Sequence, residues 1–299
     1  MADPLAIETV DLRKSFAAVE ALRGVTLRVP AGSIFGFLGR NGAGKTTTIK
    51  VLLGMTRPTS GEARVFGLDA SAERESVEIR RRAAFVSEEK DLYDYMTVEE
   101  LIRFTAAFFP RWRHDLESRY IGTFAVPLDQ KIKTLSRGAK TKVALLLALC
   151  RGAELLVLDE PTSGLDPAAS EDVLQALVGH AAGEGMTIFF SSHQIAEVEQ
   201  IADHIAIIDR GRIALAGALD ELREKFCRVQ LVFDGEPPQL RLTAPGVARV
   251  RREGRVMTLW ATNGAAAVVD EARALDPRSI DVAPVTLKDI FLETVNAED

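Results

Sequence analysis

Cysteine is nearly absent. The 299 residues hold only Cys150 and Cys227, far apart and in no CxxC arrangement, which argues against a disulfide framework or a cysteine-based zinc site. Cys150 is therefore expected to serve packing. Long apolar runs are absent too: the longest, Val143 to Cys150, is less than half of the roughly 18 residues that read as a membrane span. No excess of positive charge is available to coat a polyanion, since the formal net charge is −6, and no nucleic-acid partner is expected. The N-terminus, Met1-Ala2-Asp3-Pro4, lacks the basic and apolar regions of a secretory leader, so the chain is expected in the cytoplasm. Internal repeats and low-complexity tracts are also missing. What remains is 47% hydrophobic and 27% charged, a folded, globular composition with enough residues for one large α/β domain and a small one.

In chain order, Ile7 to Phe16 and Ala21 to Val29 alternate apolar and polar residues between Gly24 and Pro30-Ala31-Gly32, which predicts short antiparallel strands. The apolar run Ser33 to Leu38 predicts a buried strand, and Thr47 to Leu53 a helix after it. Arg57 to Glu62 reads as a turn, Ala63 to Phe66 as a strand, Arg80-Arg81-Arg82 as a solvated helix end, and Ala83 to Val86 as a strand opening into the polar loop Ser87 to Tyr93. Thr97 and Glu100 form a capping box before apolar residues at helical spacing that run to Phe108. Gly122 and Pro127 interrupt the segment that follows. Strands at Leu155 to Leu158, Met186 to Phe190 and Ile205 to Ile208 alternate with helices at Val143 to Cys150 and Ala168 to Leu177, an α/β layer pattern. Past Leu219 the character changes to a charged helix and then short strands separated by Gly235-Glu236-Pro237-Pro238 and Ala244-Pro245-Gly246. A domain boundary is placed near Lys225.

Gly39-Arg40-Asn41-Gly42-Ala43-Gly44-Lys45-Thr46 is the stretch on which the chemistry rests. Its glycines let the backbone curl so that successive N–H groups face phosphate oxygens at the positive end of a helix. Lys45 is then placed to reach β- and γ-phosphates, and the Thr46 hydroxyl to ligate Mg²⁺. Gly39, Asn41, Gly42, Gly44, Lys45, Thr46 and Thr47 are the expected nucleotide contacts. Asp159 ends a fully apolar strand, where a carboxylate can hold Mg²⁺ directly or through water. Glu160, one residue on, is the natural general base for a water attacking the γ-phosphate. His193 ends the next strand, where ligands gather in an open α/β sheet, and its imidazole can bond the γ-phosphate or hold Glu160. Phe16 suits either stacking on adenine or a place in a strand core. His114, His180 and His204 are read as structural or surface residues.

Together these pieces resemble the ATP-binding cassette (ABC) family of ATPases. Gly39 to Thr46 is similar to its Walker A loop, Leu155 to Glu160 to its Walker B strand, and Leu135-Ser136-Arg137-Gly138 to its signature motif. Glu88 falls at its Q-loop position, Ser163 to Asp166 at its D-loop, His193 at its switch histidine and Phe16 at its adenine-stacking aromatic. The resemblance implies a P-loop NTPase core with an antiparallel β-subdomain and a helical subdomain at about 97–150, all within a nucleotide-binding domain of residues 1–225. Residues 226–299 are expected to form a small C-terminal α+β domain. It implies ATP and Mg²⁺ as cofactors, with Thr46, Glu88 and Asp159 toward the metal and Lys45, Glu88, Glu160 and His193 in catalysis. It also implies a head-to-tail dimer in which Ser136, Gly138 and Asp166 complete the site of a second subunit. Each half-site is complete, so a homodimer is feasible.

Three positions depart from the family pattern: Glu88 stands for the usual Gln, Arg137 for Gly and Ala139 for Gln. Arg137, Lys140 and Lys142 at a helix start invite a phosphate-attracting role, with a solvated face equally open for the lysines. The chain most resembles ATP-binding subunits of ABC-2 exporters, which work with a membrane permease on a separate chain at the inner face of the cell membrane. Arg137, Ala139 and Phe109-Pro110-Arg111-Trp112 are similar to a subgroup associated with GntR-type regulators. The alternatives are a soluble ABC ATPase acting on DNA or ribosomes, and an ATP-sensing regulatory module.

Overall fold

In the computed structural model, residues 4–238, 247–262 and 265–296 are described. Met1-Ala2-Asp3 and the Ala244-Pro245-Gly246 break lie outside them. Two compact units result, residues 1–216 and 217–299.

The alternating pattern of the first residues becomes β1 (Leu5–Phe16) and β2 (Val19–Pro30), antiparallel partners as expected. The apolar run after them is β3 (Ile34–Leu38), buried at every position, and it feeds α1 (Lys45–Leu52). The chain then forms β4 (Ser60–Val65) and the short β5 (Leu68–Asp69). β2, β1, β4 and β5 lie in that order in a four-stranded sheet. Leu12, Leu22, Val25 and Leu27 of this sheet share one apolar core with Phe35, Phe37 and Ile49, so the β-subdomain and the phosphate loop rest on common packing.

Next come α2 (Glu73–Arg82) and β6 (Ala83–Val86). Arg80 and Arg82 are tied down: Arg80 donates to the Leu53 carbonyl and Arg82 pairs with Glu154. α3 (Val98–Ala106) carries the capping box, with Thr97 Oγ1 accepting from the Glu100 amide and Glu100 accepting from the Thr97 amide. α4 (His114–Thr123) follows. α5 (Arg137–Leu149) begins six residues before the apolar run does, because Ser136 caps it by accepting from the Ala139 amide at 3.1 Å.

β7 (Leu155–Asp159) is wholly buried. α6 (Pro167–Glu184) is longer than the sequence predicts, ending at Gly185 in the left-handed region. β8 (Thr187–Ser192), α7 (Ile195–Ile201), β9 (His204–Asp209) and β10 (Arg212–Ala218) complete the layer. The six-stranded sheet has the order β10-β9-β3-β8-β7-β6. β3, β6, β7, β8 and β9 pair in parallel, with Leu38 opposite Ser192, Asp159 opposite Ser191 and Val86 opposite Leu158. That register brings the carboxyl ends of β3, β8, β7 and β6 to one edge, where an open α/β sheet binds its ligand.

The second unit holds α8 (Leu219–Lys225), β11 (Phe226–Val232), β12 (Val247–Glu253), β13 (Val256–Thr262), α9 (Ala265–Arg273), β14 (Ser279–Pro284) and α10 (Leu287–Asn296). Its strands form an antiparallel sheet of order β12-β13-β11-β14, an α+β unit. The charged helix α8 falls inside it, so Lys225 marks the end of that helix and the division comes before Gly217.

Candidate active site

The phosphate loop is the turn between β3 and α1. Gly44 caps α1 with φ of 113°, a conformation that L side chains rarely adopt, and a Cβ there would meet Leu22 Cδ2 at 2.8 Å. Asn41, Gly42, Gly44, Lys45, Thr46, Thr47, Glu88 and Glu160, with Ala21 of β2, line one cavity of about 250 Å³. Gly39 forms the base of this loop: its amide donates to the Ser192 carbonyl and its carbonyl accepts from Lys45 Nζ at 2.8 Å.

Lys45 Nζ also stands 3.0 Å from Glu160 Oε1, both side chains 6% exposed. That Glu160 oxygen has no hydrogen bond of acceptable direction, so the contact is ionic. The other carboxylate oxygen, Oε2, meets His193 Nδ1 at 2.8 Å. Glu160 is thus suspended between a cation and an imidazole at the rim of the phosphate cavity. Its φ is +48°, which for a residue with a Cβ costs about 1–2 kcal/mol. Such strain persists only where neighbours over-determine it.

Ser191 is one such neighbour. Its Oγ donates to Asp159 Oδ1 at 2.6 Å and accepts from the Glu160 amide at 3.0 Å, so one buried hydroxyl orients both acids. The sequence reading passes over Ser191; the signal available was a hydroxyl at a strand end beside the acid-bearing strand. Lys90 was missed as well. Burial pushes its ammonium down to about 8, with Arg137 opposing the charge and Asp159, Glu88 and Glu160 favouring it. Its Nζ donates to the Glu88 carbonyl at 3.0 Å.

Asp159 is buried and Thr46 lines the phosphate cavity. Among the described residues no cluster of three or more His, Cys, Asp or Glu forms a metal cage. Thr46 and Glu88 in the phosphate cavity offer the one or two protein oxygens that Mg²⁺ takes, its shell being completed by water and phosphate, whereas Asp159 is not among the residues lining that cavity.

Ser136, Gly138 and Asp166 gather elsewhere, lining a separate cavity of about 210 Å³ with Ala139 and Lys142. Asp166 caps α6 by accepting from the Ala169 amide. The lysines after Gly138 are held by acids of their own chain: Lys140 pairs with Asp94, and Lys142, which lines the cavity, pairs with Asp172. Arg137 turns to the loop 163–166 of its own chain, its Nη2 3.4 Å from Ser163 Oγ. Phe16 is 49% exposed, which rules out the core reading, and Lys14 Nζ lies over one face of its ring, 4.7 Å from the centre. The other histidines behave as expected: His180 is buried against Tyr120, His204 stacks on Phe35 and His114 is exposed.

Comparison with known proteins agrees with this geometry. A family model described as ABC transporter matches residues 22–163. The bacitracin transport ATP-binding protein BcrA of Bacillus licheniformis is 34% identical over 97% of this chain and 97% of its own. The Nod factor export ATP-binding protein I of Ralstonia nicotianae is 32% identical over 96% of this chain and 92% of its own. A solved structure, the ATP-binding subunit of an ABC transporter, superposes with a TM-score of 0.66 at 31% identity, covering 73% of this chain and 92% of that one. A phosphate loop at the mouth of a parallel sheet, a glutamate held beside it and relatives matched over nearly their whole length converge: the chain belongs to the ABC transporter family, as an ATP-binding subunit that hydrolyses ATP.

Proposed function

We propose that the chain works as a head-to-tail dimer at the inner face of the cell membrane, driving export through a permease carried on a separate chain. The observation that supports the dimer most strongly is the separation of the two half-sites. Within one chain the phosphate loop lines one cavity and Ser136 and Gly138 another, so a nucleotide that needs both must be shared. A homodimer suffices, because each chain carries both halves.

In this reading Phe16 stacks on adenine, and the 39–47 loop holds the phosphates through its backbone and Lys45. Thr46 and Glu88, with Asp159 acting through water, hold Mg²⁺, which when bound neutralises phosphate charge. A γ-phosphate draws Lys45 Nζ away from Glu160 Oε1. That oxygen is then free to accept a proton from the water whose oxygen bonds to the γ-phosphorus as the bond from phosphorus to the β–γ bridging oxygen breaks and ADP leaves, while His193 keeps Oε2 fixed. Ser136 Oγ already accepts the Ala139 amide, so its O–H remains to donate to the partner's γ-phosphate, beside the Gly138 amide at the positive end of α5.

Permease docking is supported by a row of exposed rings, Tyr93, Tyr95, Phe104 and Phe108, each packed on the next through Tyr93 and Phe104. Exposed aromatic clusters of this kind mark protein interfaces. No helix among the described residues is long and apolar enough to cross a membrane. Arg137, Ala139 and the stretch from Phe109 to Trp112 support a place in the GntR-associated subgroup. Detergent extraction of cells expressing a tagged chain tests the whole reading. A co-purifying multi-span membrane protein is expected, and recovery of ribosomes or DNA alone contradicts it.

A further inference from the structure

The Arg that stands at the signature position is not aimed at the cavity lined by Ser136 and Gly138. Its guanidinium lies on Gly164, where a Cβ would sit 2.7 Å from Arg137 Cζ, 2.7 Å from Nη1 and 2.8 Å from Nε. Three atoms of one planar group at nearly the same distance mean that the plane covers the bare face of the glycine. Gly164 also has φ of +73°, so glycine is required there both by backbone and by the Arg above it. Nη2 reaches Ser163 Oγ at 3.4 Å. The fit continues one residue on: a Cβ on Gly138 would touch Leu165 Cδ2 at 3.6 Å. The first turn of α5 and the loop 163–165 are therefore packed as one unit.

That loop leads back to the general base. The Ser163 amide donates to the Glu160 carbonyl at 3.2 Å and the Leu165 amide to the Thr162 carbonyl at 3.0 Å. Thr162 is buried and its hydroxyl has no hydrogen-bond partner, so the turn is held mainly by its backbone and by what lies over it. Glu160 keeps its left-handed φ at the near end of this turn. A continuous set of contacts thus runs from Ser136 and Gly138 through Arg137, Gly164 and Ser163 to Glu160, all in one chain.

We propose that Arg137 is a positioning residue: by covering Gly164 it ties the segment that senses the partner's ATP to the turn that sets Glu160, so that each site's base is aligned by nucleotide at the other site. This rests on the head-to-tail dimer proposed above. Coupling of this kind needs a connected element that both sites bias, and the Arg137–Gly164 contact supplies it. When Ser136 and Gly138 engage a γ-phosphate, α5 starts from a fixed position and the loop beneath Arg137 is fixed with it. Without the guanidinium the turn 160–165 loses its cover, while the phosphate loop is untouched.

The test uses the purified full chain, with ATP turnover, its Hill coefficient and ATP-dependent dimerisation in the Glu160→Gln background as readouts. Arg137→Ala is expected to lower kcat about tenfold and bring the Hill coefficient from near 2 to near 1. The ATP-dependent dimer should persist and KM should change less than threefold. Arg137→Lys, which keeps the charge but has no planar group to cover Gly164, is expected to reproduce the loss of kcat and of the Hill coefficient. Wild-type kcat and Hill coefficient in Arg137→Ala, or in Arg137→Lys, overturn the proposal while leaving the dimer intact. A wild-type Hill coefficient of 1 likewise overturns it. Absence of any ATP-dependent dimer in Glu160→Gln overturns the dimer reading and this proposal together.

Discussion

Lys45 and Glu160 form an ion pair in the wall of the phosphate cavity, 3.0 Å apart and almost wholly buried. Each is the other's main compensation for leaving water, although Lys45 also donates to the Gly39 and Arg40 carbonyls. Removing one member of a buried pair leaves a charge without a partner and costs about 3–5 kcal/mol. Lys45→Met is therefore expected to lower the denaturation midpoint clearly, and Lys45→Met combined with Glu160→Gln to recover much of the loss. Equal stability of Lys45→Met and the parent in urea unfolding would show that the pair carries no such strain.

Ser191→Ala removes the hydroxyl that Asp159 and the Glu160 amide share. A buried N–H left without an acceptor costs about 1–3 kcal/mol, and the same change loosens both acids. Steady-state assays are expected to give a kcat about tenfold lower with KM for ATP nearly unchanged. Unaltered kcat would mean that the acids are aligned by other contacts.

What the sequence revealed and what it hid divide along a physical line. The phosphate loop, the Leu155–Asp159 strand and the Thr97–Glu100 capping box were legible because each is a local pattern whose meaning is complete within a few residues. The helix Glu73–Arg82 was harder to see, since only Ser76 and Ile79 are buried on it and no apolar stripe announces it. The helix expected over Ala168 to Leu177 runs instead from Pro167 to Glu184, passing through Gly179 and Gly183 on the burial of Leu177, His180 and Ala181. Ser191 beneath the acids and Arg137 over Gly164 are contacts between residues about 30 apart in the chain, and no local pattern encodes them.

His193 holds Glu160 through Nδ1 and, more loosely, through its backbone amide at 3.4 Å. His193→Ala is expected to lower kcat more than tenfold at saturating ATP, with His193→Gln retaining part of the activity because an amide can still donate. Identical rates for the two variants would detach the histidine from the positioning of Glu160.

Cys150 offers a pH-dependent check on the core. Burial, with Glu117 and Asp115 nearby, pushes its thiol up to about 12 from an ordinary 9.0. A folded value above the unfolded one means that the stability linked to this thiol is complete below pH 9 and declines as the pH rises from 9 toward 12. Compared with Cys150→Ala, the parent chain should lose stability over that window. At pH 8.5 the native thiol should resist alkylation and react only after denaturation, as read by mass spectrometry of the digest. Rapid labelling of Cys150 in the native chain would contradict its burial.

The composite site is tested most directly by the solution mass of Glu160→Gln with saturating ATP and Mg²⁺, measured by light scattering. With hydrolysis stopped, the nucleotide should hold Lys45 and Thr46 of one chain against Ser136 and Gly138 of another. The expected result is twice the mass found without nucleotide, reversed by Ser136→Glu. A single-chain mass at saturating ATP would contradict it.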